Sequence, residues 1–231
     1  MQIRIIIFSL FFAMLLPSCD TLKQVLSEPT SAEISAGLKQ ALEFGISEGA
    51  NLLSQRDGYF KSAYKILLPE EARRVTNRLK IIPGFSDLEN IIVEKLNRAA
   101  EDAAKSAAPI FVDAIKQMTF DDALNILLGP QDAATQYLQA KTYTPLYQQF
   151  QPVIVTSLNK FNAIEYWADA INAYNKIPLV EKVNPHLDEY VTEKALDGLF
   201  NMVARKELTI RTDISSRTTD LLRKVFAKQD K

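Results

Sequence analysis

Apolar residues recur along this chain at intervals of three and four, and residues that start or stop helices break the pattern at short range. From Ser31 to about Leu53 the stripe is Ile34, Leu38, Ala41, Leu42, Gly45, Gly49 and Leu52, which predicts a long helix. Gly45 and Gly49 lie one turn apart on that stripe. Each costs roughly 1 kcal/mol against alanine in a helix interior, so close approach of another helix is the expected compensation. Gln55 to Tyr59 reads as a turn. Pro69 with Glu70 and Glu71 opens a helix, with Arg73, Arg74, Arg78 and Lys80 behind the two acids. That order fits side-chain pairing along one helix better than a phosphate patch.

Pro83-Gly84 breaks the chain, and Ser86 with Glu89 has the spacing of a capping box. The next stripe is Leu88, Ile91, Ile92, Leu96, Ala99, Ala100 and Ala103. The alanine-rich run from Ala99 to Ala108 predicts tight helix crossing, and Pro109 marks a kink or a restart. The stretch Met118 to Pro152 is the densest in signals. Thr119 with Asp122 predicts an N-cap, and Phe120, Ala123, Leu124, Leu127 and Leu128 form the stripe behind it. Gly129 is expected to stop that helix in a left-handed cap and Pro130 to open the next. Thr144-Pro145 predicts a third helix start, with Leu146, Phe150, Val153, Ile154 and Leu158 as its stripe, and Pro152 inside that stripe predicts a kink or two shorter helices. Three helices joined by very short turns make a rigid corner, suited to holding polar side chains in place.

Asn162 with Glu165 predicts a helix carrying Trp167, Ile171 and Tyr174 that ends at Pro178. Asn184-Pro185 opens the next, with Asp188 and Glu189 in its first turn and Val191, Leu196, Leu199, Phe200 and Val203 inward. Thr212-Asp213 opens the last, with Ile214, Leu221, Leu222, Val225 and Phe226 inward. No clean period-two alternation bounded by turns occurs. The expected class is all-α: a single irregular helical bundle of about eight to ten helices over residues 32–231.

Composition changes the picture only at the N-terminus. The 231 residues are 47% hydrophobic and 24% charged, ordinary values for a globular chain. Ile5 to Leu16 is a nearly unbroken apolar run, with Arg4 the only charge before Asp20. That length suits a signal-peptide core over residues 1–18 better than a membrane span. The run ends in Leu16-Pro17-Ser18-Cys19, which resembles the bacterial lipobox, although Pro17 departs from the commonest pattern. Cys19 is then expected to be the lipidated first residue, with 19–31 a tether. An ordinary signal peptide or an uncleaved anchor is the alternative. Removal of residues 1–18 takes away Arg4 and no acid, moving the net charge from −1 to −2. Such a chain gives no reason to expect nucleic-acid binding. Acyl chains at Cys19 would hold it to the membrane, on the periplasmic or surface side of the outer membrane.

Little points to chemistry. Cys19 is the only cysteine and His186 the only histidine, which nearly excludes a cysteine or histidine triad and any cysteine-based zinc site. His186 in a helix first turn reads as a surface residue. Asp121-Asp122 and Asp188-Glu189 lie at helix starts, where acids are favoured without catalysis. No metal or cofactor motif occurs.

A set of motifs resembles an uncharacterised bacterial family of envelope proteins, domain of unknown function 4197. They are Asn97-Arg98-Ala99-Ala100-Glu101; Met118-Thr119 with Asp122-Ala123 and Ile126-Leu127; Gly129 with Ala133-Ala134-Thr135 and Tyr137; Leu196 to Phe200; Glu207 with Ile210-Arg211; and Arg217 to Leu222 with Val225-Phe226. The resemblance implies an α-helical domain in a secreted or lipid-anchored protein and carries no activity.

The polar constellation singled out as a candidate ligand site is Asp122, Thr135, Tyr137, Glu207, Arg211 and Arg217. Glu207 and Arg211 have ion-pair spacing on a helix, and Arg217 can complete a network or grip an anion. The same residues can serve as a purely structural network at a helix crossing. The expected role is a non-enzymatic binding or interaction module, with an envelope protein or a small ligand as partner. The alternative is a hydrolase or transferase acting on an envelope component through the carboxylates and arginines.

Overall fold

A computed structural model describes residues 28–79, 86–160, 162–176, 178–179, 182–184, 186–227 and 230. The signal run, Cys19, most of the tether, Lys80, Pro83-Gly84 and Pro185 lie outside the described residues, as do the side chains of Arg78, Leu88 and Tyr174.

Among the described residues there are nine α-helices and no strand. They are α1 (Ser31–Ser54), α2 (Glu70–Leu79), α3 (Leu88–Ala104), α4 (Ala107–Gln117), α5 (Phe120–Leu128), α6 (Ala133–Asn159), α7 (Ala163–Asn175), α8 (Leu187–Thr212) and α9 (Asp220–Phe226). A 3-10 turn (Ile214–Ser216) joins the last two. This is one irregular all-α bundle. Its frame is α6 against α8, with α3, α4, α5 and α7 also on α6. On the other side α1 packs against α8, α4, α5, α9 and α3.

The central stretch differs from its sequence reading, and the difference is physical. Two helices occupy it, not three, because α6 runs unbroken through Pro145 and Pro152. Each proline removes one ladder bond and costs on the order of 3 kcal/mol in a helix interior. The carbonyls they release belong to Lys141 and Gln148, both exposed residues that water can satisfy. On the buried side, Leu138, Thr142, Leu146, Phe150, Ile154 and Leu158 form a stripe repeating every four residues, each at 1% exposure or less. Burial of each large apolar side chain contributes about 1.5–3 kcal/mol, so the stripe outweighs the two breaks. Four residues advance roughly 40° past one turn, so the stripe winds round the helix. That winding is why α6 can meet five neighbours in succession.

The corner between α5 and α6 is also built differently. Gly129 is extended (φ −78°, ψ −175°), not left-handed. Glycine stands there because a Cβ would lie 2.7 Å from the Asn125 carbonyl and 2.9 Å from the Ala133 methyl. Pro130 begins the turn that precedes α6, whose first residue is Ala133. In α5 the inward residues are Ala123, Ile126 and Leu127, while Leu128 is 72% exposed and Phe120 lies at the edge.

Elsewhere the pattern is followed closely. The α1 stripe is buried as expected, except that Leu53 faces in and Leu52 out. Thr30 caps α1 in a capping box with Glu33, and the Glu33 carboxyl is held down at about 2 by Lys224 of α9 and by Thr30. The α3 cap position is Asp87, which makes no side-chain cap bond, so the Ser86–Glu89 box does not form. Pro109 sits in the first turn of α4, a restart. Helix α7 ends at Asn175, ahead of Pro178. Helix α8 persists to Thr212, and Thr219 rather than Thr212 caps the final helix. Ile214 is exposed.

The glycines of α1 sort into two kinds. A Cβ at Gly37 would meet Val225 of α9 at 2.7 and 3.2 Å, and one at Gly49 would meet Met202 of α8 at 2.9 Å. A Cβ at Gly45 would lie in ordinary contact, 3.4 Å from Lys206 and 3.5 Å from Ile210. Gly45→Ala is therefore expected to stabilise the fold by up to ~1 kcal/mol through helix propensity. Gly37→Ala is expected to lose about 1–2 kcal/mol, because stiff Val225 cannot step aside. Urea unfolding of the two variants checks the opposite signs.

Candidate functional site

Three of the six candidate residues meet at one point. Glu207 and Arg211 are both buried on the last turns of α8, with side chains 4% and 5% exposed, and pair at 2.8 Å. One Glu207 carboxylate oxygen accepts the Ala134 N–H at 2.9 Å; the other accepts the Thr135 N–H and hydroxyl, both at 2.8 Å. Ala134 and Thr135 are in the first turn of α6, whose own cap residue, Asp132, makes no side-chain cap bond. Glu207 is thus an N-terminal cap supplied from another helix, and its charge lies against the positive end of α6.

Arg211 does the complementary task. Its guanidinium donates to the carbonyls of Ile126 (2.8 Å) and Leu127 (3.3 Å), the last turn of α5, as well as to Glu207. A cation at a helix C-terminus satisfies orphan carbonyls and complements the dipole. One ion pair on α8 therefore clamps the end of α5 and the start of α6, which fixes the corner between them. Four of the five guanidinium N–H bonds are used in this way.

Arg217 joins through the backbone only. Its guanidinium, 1% exposed, donates to the carbonyls of Ile210 and Arg211, the C-terminal turn of α8. It also forms a two-pronged pair with Asp230 at 2.7 Å and lies over the Phe226 ring. Hydrogen bonding from Arg217 holds the Asp230 carboxyl below the usual carboxylate range.

Asp122 and Tyr137 form a separate group at the surface. Asp122 bonds the Thr119 hydroxyl (2.7 Å) and backbone N–H (2.9 Å) as half of the α5 capping box, and those bonds lower its pKa. Tyr137 is half-buried beside it. Burial first, and the Asp122 charge second, raise the phenol, and the Lys141 ammonium lies 5.8 Å from its ring. His186 occupies the cap position of α8 and is exposed. No group of three or more potential metal ligands occurs among the described residues.

A second buried polar network was not expected from the residues themselves. Asn97 of α3, fully buried, accepts the Ile66 N–H and donates to the Ile66 carbonyl, both at 2.8 Å, and to the Val93 carbonyl at 2.6 Å. Four residues on, Glu101 accepts the N–H groups of Tyr59 and Phe60 at 3.1 Å and pairs with Arg98 at 2.7 Å. Arg98 reaches on to Asp57, which has a left-handed φ of 72°. Tyr59, fully buried, bonds the Ala195 carbonyl of α8 at 2.7 Å, and burial pushes its phenol up. These side chains hold the segment 55–68, which has no regular structure of its own, against α3 and α8. The signal was available: two polar residues four apart on an otherwise alanine face.

The geometry defines a class: an all-helical domain whose buried polar residues bind helix ends and an irregular connector. The chain belongs to the family described as a protein of unknown function (DUF4197), which matches residues 28–227. No curated protein and no solved structure matches it.

Proposed function

We propose that this protein is a lipid-anchored module of the bacterial envelope that acts by binding another protein. The observation that carries the reading is the state of the buried cluster. Glu207, Thr135 and Arg211 are engaged with one another and with the backbone ends of α5 and α6. A carboxylate accepting several hydrogen bonds and a guanidinium with four donors engaged have a structural task, which favours recognition at the surface over turnover in the interior. The Ile5–Leu16 run and Cys19 support the anchor. Two acyl chains hold a protein stably where one does not, and a folded body on a short tether is then presented at the membrane surface.

Fractionation of cells expressing the full chain tests this. The wild-type chain is expected in the membrane fraction, with palmitate label incorporated. Cys19→Ser is expected to abolish the label and release the folded chain. Unlabelled wild-type protein would overturn the anchor.

A further inference from the structure

The face shared by the middle of α6 and the first half of α8 carries charge of one sign next to aromatic rings. Glu207 beside Thr135 and Asp188 bonded to Gln151 (3.1 Å) place the two helices antiparallel. Tyr147 thereby comes level with Glu193, and Tyr143 with Asp197. The proximity is felt electrostatically: after burial, the nearby carboxylates Glu193 and Asp197 raise the Tyr143 phenol, and Glu189 and Glu193 raise that of Tyr147. The rings lie 6.4 Å apart, and Tyr143 stacks on Phe200 at 6.3 Å and 16°, which braces it from below. Both tyrosines are half-exposed, and Glu193 and Asp197 are exposed.

Among the described residues, no compensating positive charge crosses the groove. From Thr142 to Asn159 helix α6 has no charged residue. Lys194 is the one base on this part of α8, and it is taken by Asp197 at 2.9 Å. Among the described residues Glu193 has no ion-pair partner.

We propose that this α6–α8 face docks an arginine-bearing segment of a partner protein. A guanidinium stacks on a tyrosine face while its N–H groups meet a carboxylate, and it is more weakly hydrated than an ammonium. Glu189 and Glu193 repeat every ~6 Å along the helix axis, four residues at 1.5 Å each. Arginines every fourth residue of a helix match that repeat. The proposal deepens the interaction-module reading and rests on it.

The probe is a fluorescein-labelled alanine-rich peptide with arginine at every fourth position, titrated by anisotropy with the full chain in detergent. Glu189→Gln with Glu193→Gln is expected to weaken binding at least tenfold. Tyr147→Leu is expected to do so while Tyr147→Phe, which keeps the ring, does not. Asp113→Asn with Asp121→Asn makes the same change in net charge on other helices and is expected to leave affinity within twofold. Equal losses in the two double variants, or no binding by the wild-type chain, would overturn the proposal. Failure here leaves the palmitate and fractionation result untouched, so the two readings fail separately.

Discussion

Glu207→Ala is expected to destabilise the protein by about 3–5 kcal/mol, the largest loss expected from truncating any single side chain. Removing one partner of a buried pair leaves the other charge without compensation, which typically costs that much. Here three consequences coincide. Arg211, 5% exposed, keeps its charge with only carbonyls around it. The first turn of α6 loses its acceptor for the Ala134 and Thr135 N–H groups. The Thr135 hydroxyl loses its partner as well. For a domain of this size the loss corresponds to a fall in Tm on the order of 10 °C. Glu207→Gln is expected to do less damage, since the amide oxygen still accepts from the α6 turn. Calorimetry of the two variants gives the ranking. If alanine and glutamine cost the same, the loss lies in the charge of Glu207, and the hydrogen bonds that glutamine keeps contribute nothing.

Asn97→Asp is the second large effect, with an expected loss of about 4 kcal/mol, greater than that of Asn97→Ala. Asn97 acts as one strand-like rung for Ile66: its oxygen takes the N–H and its nitrogen gives to the carbonyl. Alanine leaves both Ile66 groups buried and unpaired, and each such group costs about 1–3 kcal/mol. Aspartate does worse, because an oxygen replaces the nitrogen that donates to the Ile66 and Val93 carbonyls, and acceptor then faces acceptor at a fully buried site. The amide of Ile66 is expected to exchange with solvent much faster in both variants. Unchanged protection there would show that the segment 55–68 is held by Glu101 and Tyr59 alone.

What the chain revealed in advance follows the range of the interactions. Local signals were legible: the Thr119–Asp122 box, the stripe on α1, and the alanine crossing on α3 are each written within a few residues. The capping of α6 was not, because its cap is Glu207, 72 positions from Thr135, while the local Asp132 has the right chemistry and makes no cap bond. Pro145 and Pro152 misled for a related reason. Proline reports the cost of continuing a helix; the apolar positions from Leu146 to Leu158 were legible, but their full burial against α3 and α8, which outweighs that cost, was not. The Glu207–Arg211 pair was legible from spacing, and its task was not, since the groups it serves are backbone atoms of other helices. Asp122 and Tyr137 were grouped with that pair by nearness along the corner, and the fold gives them separate surroundings at the surface.

Glu207 and Arg211 act as one clamp on the ends of α5 and α6. A double-mutant cycle in urea unfolding tests it most directly, with Glu207→Gln, Arg211→Met and the double variant. Each single change is expected to cost at least ~2 kcal/mol, with a double cost well below their sum and a coupling of 2 kcal/mol or more. Single changes that leave stability within about 0.5 kcal/mol of wild type, as ordinary surface substitutions do, would contradict the clamp and return both residues to the pool of candidate ligand contacts.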